Sequence, residues 1–122
     1  MVRRFFYAAV CVLSIGYIAS CSKASEDMLA PQQCDTTGMT YSSDILPIIT
    51  NNCYSCHGSG NITDDINLDG YSNLKTYVDN GYLIGAITHA SGYTPMPYNS
   101  EKLSDCEINK IKAWINSGAP NN

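Results

Sequence analysis

Apolar positions along this chain come in one long uncharged run followed by short stripes at helical spacing. Residues 5–18 carry no charge and follow the basic pair Arg3 and Arg4. At about 1.5 Å of helical rise per residue the run reaches about 21 Å, short of a hydrocarbon core of about 30 Å. Further on, Ile45, Ile48 and Ile49 form a stripe that predicts a first helix. Ser43 or Asp44 is its expected cap, and Pro47 falls in its first turn, where a missing N–H does no harm. This helix is expected to end near Asn51-Asn52 and deliver Cys53. A second helix fits residues 72–80, with Ser72 as cap, Leu74, Tyr77 and Val78 inward and Gly81 as the stop. A short third helix fits 83–88. The last is the best defined: Ser104 and Glu107 have the spacing of a capping box, and Ile108, Ile111 and Ile115 share a face with Trp114 beside them. Gly118 and Pro120 then end it. No strand-like alternation is sustained and there is no internal repeat, so the expected fold class is all-α.

The opening run, with its basic flank, reads as an export signal and not a membrane span. It ends Ile18-Ala19-Ser20-Cys21, which resembles a bacterial lipobox, whose cysteine is lipidated and becomes the new N-terminus. The expected organisation is a lipoprotein signal peptide over 1–20, a flexible lipid-anchored tether over 21–40 and a folded domain over 41–122. The expected location is exported, anchored through Cys21 to a bacterial membrane on its periplasmic or cell-surface side. An ordinary signal peptide with Cys21 left as a free thiol is the alternative.

Charge narrows the partners. The 122 residues hold 7 Lys+Arg against 11 Asp+Glu, a net charge of −4, and removal of Arg3 and Arg4 takes the mature chain to −6. So acidic a chain lacks the clustered cations that neutralise phosphates, which argues against nucleic acid as a partner. Six cysteines need separate accounting. Cys11 lies in the removed segment and Cys21 is assigned to the lipid. Cys53 and Cys56 belong to the motif below. Cys34 and Cys106 remain, and in an oxidising compartment they are the expected disulfide, with two unrelated buried thiols as the alternative.

Residues 53–57 read Cys53-Tyr54-Ser55-Cys56-His57, the C-x-x-C-H signature of covalent haem attachment. Two thiols separated by two residues reach both vinyl groups on one edge of the macrocycle, and the next residue projects beneath the iron. A thioredoxin-like redox pair would need a βαβ context that the pattern does not supply. A zinc site could enlist Cys53, Cys56, His57 and His89, but adjacent Cys56 and His57 diverge too much to close a tetrahedron easily. Asp65-Ile66-Asn67-Leu68-Asp69-Gly70 matches the opening of an EF-hand loop. Thr76 stands where its bidentate Glu belongs, so an Asx-rich turn is the expected reading of Asp65, Asn67 and Asp69.

With Pro95-Met96-Pro97 and the closing Ala113-Trp114-Ile115-Asn116-Ser117-Gly118-Ala119-Pro120, the motif makes the chain from about residue 40 onward resemble a small single-haem c-type cytochrome lipoprotein of Gram-negative bacteria. The resemblance implies a cytochrome c-like helical domain around one covalent haem c, with the first and last helices crossing beside it. It implies thioethers at Cys53 and Cys56 and His57 as the proximal iron ligand. Of four methionines, only Met96 follows the motif, 39 positions after His57. It is the expected distal ligand, with Pro95 and Pro97 stiffening its loop. His89 is the rival ligand. Trp114 is read as core, with a haem-propionate hydrogen bond as the alternative. The implied role is electron transfer between redox partner proteins, not enzymatic turnover. The alternatives are a structural or docking subunit of a membrane complex, or a haem open to small ligands or peroxide.

Overall fold

Helix formation starts at Thr40, in a computed structural model that describes residues 33–122. The signal segment, Cys21 and residues 21–32 of the tether lie outside the described residues. The Thr40 hydroxyl accepts from the Ser43 amide at 3.3 Å. The Asp44 carboxylate accepts in return from the Thr40 amide at 2.8 Å and its hydroxyl at 2.9 Å. This reciprocal pair starts a π-helical turn, Tyr41–Ile45, that runs into α1, Leu46–His57. The cap therefore lies earlier than Ser43, and Asp44 acts as its reach-back partner. The end also differs from the expected Asn51-Asn52. No Gly or Pro interrupts the helix there, and Asn52 Nδ2 donates to the Ile48 carbonyl one turn back at 2.9 Å. The helix thus continues through Cys53 and Cys56 and stops at Gly58, whose backbone is extended.

A two-residue strand, Asn61–Ile62, folds back in antiparallel bridges, Ile62 opposite His57 and Asn61 opposite Gly58. Helix α2 is Tyr71–Asp79. It starts at Gly70 and not Ser72, because Gly70 takes a φ of 81°, a conformation that residues with a Cβ rarely adopt. Helix α3, Tyr82–Ile87, follows immediately after Gly81. Helix α4, Asp105–Asn116, has both halves of its capping box: Glu107 N donates to Ser104 Oγ at 3.2 Å and Ser104 N to Glu107 Oε2 at 3.0 Å. The described residues are all-α apart from that strand.

The core joins these elements. Ile45, Ile49, Leu74, Ile111 and Trp114 are wholly buried, and each large apolar side chain so placed is worth about 1.5–3 kcal/mol over exposure. Trp114, beside the Ile108–Ile111 stripe, takes the central place, and Ile115 is only partly buried. Helix α4 packs on the π-turn ahead of α1 and on α3. The last residues close the fold. Asn122 accepts from the amides of Tyr41 and Ser42, at 2.8 and 2.9 Å, and the Tyr71 hydroxyl donates to the Ala119 carbonyl at 2.8 Å.

Cys34 and Cys106 are bridged, with Cα atoms 5.5 Å apart, so the segment before the π-turn is tied to the first turn of α4. The compact unit Cys34–Asn122 thus includes the segment ahead of the π-turn. Among the described residues no helix is long and apolar enough to cross a membrane.

Candidate functional site

The last turn of α1 carries Cys53, Cys56 and His57 into one wall of a cavity of about 670 Å³. Pockets that hold cofactor-sized ligands span roughly 300–1,000 Å³. Cys53 is half-buried and Cys56 exposed, and both are free thiols. His57 is 8% exposed and is the one buried polar side chain of the described core. Its Nδ1 lies 3.1 Å from the Ile66 carbonyl oxygen. A carbonyl only accepts, so in the neutral ring Nδ1 carries the proton and Nε2 keeps its lone pair. The backbone holds the same residue, since the His57 carbonyl accepts from the Leu68 amide at 2.8 Å. Residues 58–68 thus loop back to fix the imidazole, and Ile66 and Leu68 join the cavity wall.

Met96 lines the same cavity from a different part of the chain. Its loop follows α3 and is pinned to it. The Met96 amide donates to the Ala86 carbonyl at 3.1 Å. Gly85 lets the loop approach, because a Cβ there would come within 2.5 Å of the Tyr93 ring. Tyr93 in turn meets Tyr82 edge-to-face at 5.4 Å. Leu83 and Ile87 of α3 and Leu103 ahead of α4 supply apolar wall between the two donor sets.

The remaining candidates fall elsewhere. His89 is not among the residues lining the cavity; its Nε2 donates to the Met96 carbonyl at 3.1 Å. Trp114 is core: its Nε1 donates to the Pro120 carbonyl at 3.0 Å, which commits the group a propionate would need. Asp65 ends a short 3-10 turn, Thr63–Asp65, and beyond it Asn67 Oδ1 accepts from the Asp69 amide at 2.8 Å. Among the described residues no three His, Cys, Asp or Glu side chains are grouped to hold a metal ion.

The cysteine environment separates the chemistries open to the motif. Burial, with a smaller push from the Glu107 carboxylate, raises the Cys53 thiol to about 11. A redox-active pair needs the opposite, a thiol made acidic by a helix N-terminus or nearby cations. Here the pair sits at the C-terminal end of α1, where the helix dipole opposes a thiolate.

Comparison with known proteins finds no matching family model, no matching curated protein and no matching solved structure. The site is therefore read from its own donors. Residues that carry two thiols, an imidazole and a thioether line one largely apolar cavity.

Sequence reasoning named those four donors. It missed the Ile66 carbonyl, a backbone group with no residue signature, and the tie between His89 and Met96.

Proposed function

We propose that this chain is a membrane-anchored c-type cytochrome that carries electrons between periplasmic or membrane redox partners, with a cytochrome c-like domain around one covalent haem. The observation that carries this reading is the shared cavity: Cys53, Cys56 and His57 at the end of α1 and Met96 from the loop after α3 line the same apolar space. The donor set suits haem better than its rivals. Cys53 and Cys56 would hold the group by adding each S–H across a vinyl double bond, a step in which no atom leaves. Bound haem supplies one-electron iron chemistry.

His57 offers Nε2, while its Nδ1–H bond to Ile66 fixes the ring and strengthens the nitrogen as a donor. Met96 offers a soft thioether, which favours the reduced iron and raises the potential. With His57 and Met96 both holding the iron, no substrate site would remain at the metal, and the role would be that of a carrier. The apolar walls Leu68, Leu83, Ile87 and Leu103 would lower the local dielectric around the bound group. Cys21, outside the described residues, would carry the lipid that keeps the domain near membrane partners.

The test is expression of the full chain with haem-maturation machinery. The mature protein should gain the mass of one haem, and replacement of Cys53 and Cys56 by Ala should abolish the gain. Met96→Ala should open the iron to carbon monoxide, and Cys21→Ser should move the loaded protein to the soluble fraction. Failure to attach haem, or carbon monoxide binding as strong in the parent as in Met96→Ala, would overturn the reading.

A further inference from the structure

Both backbone polar groups of Met96 are committed. Its amide donates to Ala86 at 3.1 Å, and its carbonyl accepts from His89 Nε2 at 3.1 Å. The first bond ties Met96 to α3. The second spans seven residues and closes the loop upon itself. His89 is oriented for this by its own backbone, since its amide also donates to the Ala86 carbonyl, at 3.2 Å. Its φ is 54°, the left-handed residue of the turn that ends α3, in which the Ala90 amide also donates to the Gly85 carbonyl at 3.0 Å. The helix end thus places the ring, and it places it on the one residue of this loop that offers the cavity a thioether.

We propose that His89 is the positioning residue for Met96: its Nε2–H clasp on the Met96 carbonyl holds the thioether at the cavity wall and sets how firmly Met96 keeps the sixth position of the iron. This rests on the haem reading above, but on different atoms from those that carry it. His89 does not line the cavity; it acts through the Met96 backbone. A thioether is a weak, neutral ligand, so its hold depends on how little it moves when released. A loop clasped at both amide and carbonyl keeps the sulfur within reach, and one clasped at the amide alone lets competing ligands in.

The test uses the full haem-loaded chain with His89→Ala, His89→Gln and Met96→Ala. Gln places an N–H near the position of Nε2, whereas Ala removes it. Both keep a Cβ at the left-handed φ, so their difference isolates the donor. Two quantities are read: the imidazole concentration that displaces Met96 from ferric iron, and hydrogen exchange at the Met96 amide.

His89→Ala should lower the displacing concentration by about three- to tenfold, the range of one net hydrogen bond, and speed exchange by a similar factor. His89→Gln should restore both to within about twofold of the parent, since it keeps the bond. His89→Ala matching the parent in either quantity, or His89→Gln behaving as Ala, would overturn the clasp. Met96→Ala discriminates the two readings. If it leaves imidazole binding as in the parent, Met96 is not the ligand, and the haem reading fails first and takes the positioning role with it.

Discussion

Glu107 Oε1 accepts a hydrogen bond of 3.2 Å from Asn52 Nδ2, joining the first turn of α4 to α1 one residue before Cys53. Its other oxygen, Oε2, accepts from the Ser104 hydroxyl at 2.7 Å and amide at 3.0 Å. One carboxylate thus caps the last helix and fastens it to the helix that carries the motif.

These donors, the Ser104 hydroxyl foremost and then its amide and Asn52, hold the Glu107 carboxyl below its usual value of 4.5. A depressed carboxyl contributes stability that is complete above its unfolded value and is lost as pH falls through the lower folded one. Urea unfolding between pH 3 and pH 7 should show stability falling on the acid side of about 4.5. Glu107→Gln, which keeps an acceptor for Ser104 and removes the charge, should make that limb shallower, the remainder belonging to Asp35 and Asp44, whose carboxyls are also held low by hydrogen bonds from Thr37 and Thr40.

Cys53 and Cys56 should differ in reactivity before haem attachment. With its thiol pushed up to about 11, Cys53 is about one part in a thousand thiolate at pH 8. Cys56 is exposed. Mass spectrometry of haem-free protein treated with iodoacetamide at pH 8 should find Cys56 alkylated first, with Cys53 following only as pH approaches 11 or on unfolding. Equal rates at the two sites would show that the burial of Cys53 does not persist without haem.

The Cys34–Cys106 bridge closes a loop of 72 positions. On the chain-entropy account, a crosslink of that span stabilises by about 4 kcal/mol. Cys34→Ser with Cys106→Ser should lower the unfolding free energy by up to that amount, read from urea curves of the paired variant against the parent. No change would mean that the unfolded chain is already constrained there.

Trp114 separates packing from hydrogen bonding. Trp114→Phe keeps a ring but orphans the Pro120 carbonyl, at a cost of about 1–3 kcal/mol. Trp114→Ala also leaves a void beside Tyr41, whose ring centroid lies 6.0 Å away, and should cost about 3–5 kcal/mol. Thermal unfolding should rank parent, Phe and Ala in that order of falling stability.

The sequence by itself determined the features that near neighbours decide. The capping box at Ser104 and Glu107, the stripe of Ile108 and Ile111 and the turn at Gly118 lie within a few residues of each other, so periodicity and cap chemistry specify α4 without reference to the rest of the chain. The spacing of Cys53, Cys56 and His57 is local in the same way. The start of α1 at Thr40 and Asp44 and its run through the motif rest on near neighbours too, although the apolar stripe alone points to a later cap and an earlier end. Only the tertiary structure decided that His57 would be fixed by the Ile66 carbonyl, Trp114 by Pro120 and Met96 by His89. In each of these pairs the acceptor is a backbone carbonyl, which every residue carries, so no side-chain identity marks it in advance. Whether such a group is reachable depends on where the loops at 58–68 and 88–98 return, and that is set by packing against α1 and α3 and not by their own residues.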